Sequence, residues 1–125
     1  MPFARLEHVN ISVSDAERSA AFFTKLCGWH ERWRGPAIDD GFSIHLGTED
    51  QYIVFYTPPG GVSTRFSKGM PLQHVGIEVD DLAAAEQIVI AAGLEPFNHA
   101  DYEPGRRFYF YDWDGIEFEV VSYGG

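Results

Sequence analysis

The chain has 125 residues, 45% hydrophobic and 15% aromatic, which is enough for one domain or two very small interdependent modules and too apolar for intrinsic disorder. Nine basic against nineteen acidic residues give a formal charge of −10, so the phosphate backbone would repel the chain and nucleic-acid binding is set aside. No apolar run approaches the roughly 20 residues of a membrane span. The start Met1-Pro2-Phe3-Ala4-Arg5 lacks the layout of a signal peptide, and a single cysteine, Cys27, excludes an internal disulfide or a Cys-rich zinc cluster. A soluble, cytoplasmic protein with no membrane partner is expected. The acidic charge suits a cationic ligand and, equally, a solvated surface.

In chain order, the first element is Leu6-Glu7-His8-Val9-Asn10-Ile11-Ser12-Val13-Ser14-Asp15, with Val9, Ile11 and Val13 on one face of a half-buried strand. From Asp15 to about Leu26, Ala16, Ala20, Phe23 and Leu26 recur at helical spacing, and Gly28 supplies the stop. Strand-like runs follow at His30–Arg34, Phe42–Leu46 and Tyr52–Tyr56. The Pro- and Gly-rich stretch from Thr57 to Pro71 reads as a linker. Then Leu72-Gln73-His74-Val75-Gly76-Ile77-Glu78-Val79-Asp80-Asp81 repeats the opening segment, with His74 placed 66 residues after His8. A second helix, Asp81 to about Ala92, presents Leu82, Ala85, Val89 and Ala92 and is stopped by Gly93. Further strands are expected near Leu94–Asn98, Arg107–Tyr111 and Ile116–Ser122.

Each half therefore reads β-α-β-β-β: a first module over 1–57, a linker over 58–71 and a second module over 72–125, one structural domain overall. A four-stranded sheet with one helix leaves its other face bare. Two such sheets facing each other would bury that surface around a cavity, an α+β fold with paired curved sheets.

Valines at alternate positions under the helix send His8, Asn10 and Ser12 to the opposite face, and His74, Gly76 and Glu78 likewise. A lone strand histidine is ordinarily structural; a matched pair on concave faces raises metal ligation to an equal alternative. In the last strand, the turn Asp112-Trp113-Asp114-Gly115 precedes Ile116, Phe118 and Val120 on one face and Glu117, Glu119 and Val121 on the other. Metal coordination would satisfy such acids, and a solvated face would do so as well. Tyr52 and Tyr56 share the parity of Val54 and either line the cavity or pack the sheet. His45 is a further candidate on the first half. Arg107 suits an anionic substrate or a solvated pair with Arg106. Cys27 reads as buried rather than nucleophilic, and Trp29 and Trp33 as packing or dimer residues. No phosphate loop or nucleophile elbow is present.

The paired His-Val-x-Ile-x-Val strands and Asp-Trp-Asp-Gly-x-x-x-Glu resemble the vicinal oxygen chelate superfamily of glyoxalase I, extradiol dioxygenases, fosfomycin resistance transferases and bleomycin-binding proteins, across essentially the whole chain. The resemblance implies a divalent metal (Fe, Mn, Ni, Co or Zn) held by His8, His74 and Glu119, the glutamate four residues past the glycine. It also implies a substrate-contacting role for Tyr109. The position equivalent to Glu119 in the first half is Val54, flanked by Ile53 and Phe55. The set therefore has two imidazoles and one carboxylate, more like the dioxygenase or fosfomycin-transferase arrangement than glyoxalase I.

The resulting expectation is an enzyme acting on a small molecule with vicinal oxygens, by isomerase or lyase, thiol-transferase or dioxygenase chemistry. Asn10, His45, Tyr52, Tyr56, Arg107 and Tyr109 would bind the substrate. With few cations expected in the pocket, the metal must stabilise developing negative charge. The alternative is a non-catalytic drug- or metabolite-binding protein of the bleomycin-resistance type, whose acidic, aromatic groove would stack a cationic drug. The resemblance further implies a homodimer, since members of the family near this length are typically homodimers with exchanged halves. A domain-swapped dimer is therefore expected, with His8 from one chain and His74 and Glu119 from the other.

Overall fold

The structure, a computed structural model, describes residues 3–62, 64–69, 71–102 and 105–124. The chain divides into two units, 1–63 and 64–125, each running β-α-β-β-β. The first holds β1 (His8–Ser12), α1 (Ala16–Cys27), β2 (His30–Pro36), β3 (Phe42–Gly47) and β4 (Tyr52–Thr57). The second holds β5 (Val75–Glu78), α2 (Leu82–Ala91), β6 (Phe97–Tyr102), β7 (Gly105–Tyr111) and β8 (Glu117–Ser122). Sheet orders are β1-β4-β3-β2 and β5-β8-β7-β6. In each, the first strand lies parallel to the fourth and the other pairs are antiparallel. This is the α+β pair of four-stranded sheets that the internal repeat predicts.

Local chemistry explains the helices. Asp15 caps α1 by accepting a hydrogen bond from the Arg18 N–H at 3.1 Å, and Asp81 caps α2 through the Ala84 N–H at 3.0 Å. Gly28 ends α1 at φ 68°, a left-handed conformation that favours glycine, and its N–H bonds to the Thr24 carbonyl at 3.0 Å. The four apolar residues expected to face inward on α1 are all buried. On α2 only Ala85 and Val89 are buried, while Leu82 and Ala92 are half-exposed.

Strand alternation completes each core. Val13, Ile44, Leu46, Ile53 and Phe55 are buried in the first unit, where the Phe55 ring stacks on Phe23 of α1 at 5.3 Å. Phe108, Phe110, Phe118 and Val120 are fully buried in the second.

Two expectations need correction. The sixth strand begins at Phe97 rather than near Leu94. Residues there close the helix instead, with the Leu94 N–H donating to the Val89 carbonyl at 3.2 Å. A register break then falls between Phe97 and Ala100, with Asn98 at φ 52°. The second correction concerns the stretch read as a plain linker. Thr57 belongs to β4, and the Phe66 N–H donates to the Asp114 carbonyl at 2.9 Å. Arg65 also reaches the Trp113 carbonyl at 3.3 Å. Residues 65–68 are thus a strap laid on the turn before β8.

Candidate functional site

The faces turned away from the helices carry the polar side chains. In the first unit, His8, Asn10 and Ser12 of β1 stand beside Tyr52, Val54 and Tyr56 of β4, and His45 of β3 is the register partner of Val54. The His8 ring stacks on Tyr52 at 4.9 Å and Tyr52 on His45 at 5.2 Å, with the Arg32 guanidinium 4.1 Å from the Tyr52 ring centre. His8 Nδ1 lies 2.9 Å from a Glu7 carboxylate oxygen. Burial, reinforced by the charges of His8 and Arg32, lowers the His45 pKa. Further along, Tyr56 donates a hydrogen bond to Asp39. That bond holds the Asp39 carboxyl below its usual range and raises the phenol. An open depression of about 560 Å³ is lined there by Asn10, Trp33, Ile38, Ser43, His45 and Tyr56.

The second unit gathers charge. Tyr109 of β7 is the register partner of Glu119, Tyr111 of Glu117, and Arg107 of Val121. His74, just before β5, places Nε2 3.0 Å from Glu119 Oε1 and Nδ1 3.5 Å from Glu117 Oε2. Arg107 Nη1 donates to Glu119 Oε2 at 2.7 Å, and Lys68 Nζ lies 2.8 Å from Glu117 Oε1. The edge of the His74 ring meets Tyr109 at 5.8 Å. Phe97 flanks Tyr109 and Tyr111, at 6.1 and 5.0 Å.

Within this unit His74, Arg107, Tyr109 and Glu119 come together; His8, Asn10, His45, Tyr52 and Tyr56 lie on the face of the other. Three readings change. Glu117 does not sit on a solvated face but is 2% exposed, held by Lys68 and His74. Arg107 does not form a solvated pair with Arg106, because the two alternate across β7 and Arg107 binds Glu119. Finally, the face is not poor in cations, since Lys68 and Arg107 both reach it. Glu117 was legible as a candidate from its parity with Glu119. Lys68, inside a Pro/Gly-rich stretch, carried no signal of its own. Cys27 is half-buried rather than buried, but burial still pushes its thiol up to about 12, so it is a poor nucleophile.

Among the described residues, no group of three or more His, Cys, Asp or Glu is gathered to hold a metal ion. The pair His74 Nε2 and Glu119 Oε1 nevertheless fits two adjacent ligands of one divalent cation. Donors each about 2.1 Å from an ion and at right angles to each other stand about 3 Å apart.

The turn before β8 is fixed by Asp112, whose Oδ1 accepts hydrogen bonds from the N–H groups of Asp114 and Ile116, both at 2.9 Å. Gly115 at φ 90° allows the close approach of the strap, for a Cβ would stand 2.9 Å from the Phe66 carbonyl oxygen. Burial pushes the Asp112 carboxyl up to about 6, against two opposing backbone hydrogen bonds. The folded state therefore holds this proton more tightly than the unfolded chain. Its ionisation costs stability above about pH 6, and the cost fades as pH falls towards the usual carboxylate value. Between pH 7 and pH 5 this group should add about 1 kcal/mol of stability. Asp112→Asn keeps an oxygen for the two N–H groups and should lack that increment in urea unfolding at the two pH values. An identical pH dependence in both proteins would contradict this assignment.

The chain belongs to the Glyoxalase/Bleomycin resistance protein/Dioxygenase superfamily, whose family model matches residues 5–120. Solved structures agree on the fold. A glyoxylase/bleomycin resistance protein/dioxygenase domain from Frankia sp. EAN1pec superposes with a TM-score of 0.83 at 24% identity, over 97% of this chain and 93% of that one. The fosfomycin resistance protein FosX from Listeria monocytogenes gives 0.76 at 17% identity, over 99% and 96%; the same protein has also been solved with Mn(II) and sulfate. FosX from Mesorhizobium loti gives 0.73 at 19%, over 96% and 92%. No curated protein sequence matches this chain.

Proposed function

We propose that the protein is a metal-dependent enzyme acting on a small anionic molecule with two neighbouring oxygen atoms. The observation that carries the reading is the His74–Glu119 pair at 3.0 Å, with Arg107 bound to the far oxygen of the same carboxylate. The metal would be held by His74, Glu119 and His8, the repeat equivalent of His74. In the two-fold dimer we propose, that histidine is His8 of the partner subunit. When bound, a divalent ion of the Fe, Mn, Co, Ni or Zn type supplies a Lewis acid for charge developing on a substrate oxygen.

The chain's own groups do the rest. Arg107 presents a planar fork suited to a carboxylate or phosphonate. Tyr109 offers a hydroxyl donor beside it, and Phe97 helps to shield that end from water. Asn10, His45, Tyr52 and Tyr56 supply the polar and aromatic wall on the other module. Among isomerisation, oxygenation and epoxide opening, the arginine favours opening of an epoxide that carries a phosphonate; FosX from Listeria monocytogenes, a fosfomycin resistance protein, has been solved as a mutant with Mn(II) and 1S,2S-dihydroxypropylphosphonic acid.

A second reading, a sequestering protein for planar cations, draws on the His8–Tyr52–His45 stack and the −10 charge. Phosphorus NMR of fosfomycin incubated with the Mn(II)-loaded protein, with and without a thiol, separates the two. Metal-dependent loss of the epoxide is expected. No turnover, together with metal-independent binding of a cationic aromatic drug, would establish the second reading instead.

A further inference from the structure

Neither Lys68 nor Glu117 has a part in the function proposed above, yet Glu117 is the more deeply buried of the two glutamates that face His74, with a side chain 2% exposed against 12% for Glu119. A carboxylate so buried is costly unless opposite charge is placed beside it. One oxygen is 2.8 Å from Lys68 Nζ and the other faces His74 Nδ1 at 3.5 Å. The opposite nitrogen of the same ring faces Glu119, itself fixed by Arg107. The imidazole is thus held between two carboxylates, each anchored from behind by a cation. A tether for the strap alone would need only the Lys68 contact; it would not need the second oxygen turned to the histidine.

We infer that Glu117, anchored by Lys68, is a positioning residue for His74. It fixes the ring against Tyr109 and stands on the Nδ1 side, placed to accept from Nδ1–H when Nε2 is given to a cation. The ring-fixing part stands on the contacts alone; the consequence for cations rests on the metal reading given above. A carboxylate behind a ligating histidine sets its tautomer and raises its basicity, and losing one weakens metal binding about 10- to 100-fold.

The test uses the full chain as wild type, Glu117→Ala, Glu117→Gln and Lys68→Met, with thermal unfolding as the check on folding. Long-range nitrogen–proton spectra read the His74 tautomer, ring-to-ring NOEs read its contact with Tyr109, and calorimetry reads the affinity for Zn²⁺. In the wild type, the His74–Tyr109 NOEs are expected without metal and the Nδ1–H tautomer with Zn²⁺. Glu117→Ala should lose the NOEs and bind Zn²⁺ about 10- to 100-fold more weakly. Glu117→Gln, whose amide oxygen still accepts from Nδ1–H, should recover most of both. Unchanged NOEs and an affinity within twofold of wild type in Glu117→Ala would overturn the inference. If the wild type binds no Zn²⁺, the metal reading falls, and the metal-free NOEs still decide the positioning role. If Glu117→Ala fails to fold, Lys68→Met decides by the same NOEs: loss upholds the inference and retention overturns it.

Discussion

Replacing His74 with alanine is expected to weaken divalent-metal binding at least about 100-fold, since even loss of an outer partner costs 10- to 100-fold. The fold should survive. His74 is 35% exposed in its side chain, and its removal leaves Glu117 with Lys68 and Glu119 with Arg107, so no buried charge is left unpaired. Glu119→Ala is the less clean variant, because it strips the carboxylate from an arginine whose side chain is only 13% exposed. Metal content by mass spectrometry and a melting curve separate the two effects. A His74→Ala protein that retains stoichiometric metal would remove this residue from the site.

The largest effect on stability is expected from Phe55→Ala. Phe55 has no exposed surface, pairs in register with Ile11 and Ile44, and stacks on Phe23 of α1. Truncation removes the contact between helix and sheet and leaves a cavity that neighbouring strands cannot close. The cost is about 3–5 kcal/mol, a large share of the 5–15 kcal/mol by which a domain is ordinarily stable. Ile90→Ala, on the exposed side of α2 and 48% accessible, should change stability by no more than about 0.5 kcal/mol. Urea unfolding of both variants checks the contrast. Equal losses would mean that the core is not where the alternation puts it.

What could be read from the sequence was what local rules determine. Asp15, Gly28 and Asp81 act on their own helices, and the alternation at Val9, Ile11 and Val13 assigns a face with no knowledge of partners. The repeat supplied the rest of the architecture, since one module predicts the other. Contacts between distant segments were not legible. The strap carrying Lys68 reaches Glu117 across nearly 50 positions of sequence, and no periodicity reports such a meeting. Leu94 looked like a strand start, but the helix end claims it through Val89. Arg107 beside Arg106 reads as a solvated pair until the pleat turns one of them to Glu119.

The proposed metal site is tested most directly by the crystal structure of the full chain soaked in Mn(II), with anomalous scattering measured at the manganese edge. One strong anomalous peak per site is expected, bound by His74 Nε2, a Glu119 oxygen and a His8 imidazole, which would also show whether that histidine comes from the same chain or from the partner subunit. A map with no peak there, and with Arg107 and His74 still closed on Glu119, would contradict the metalloenzyme reading.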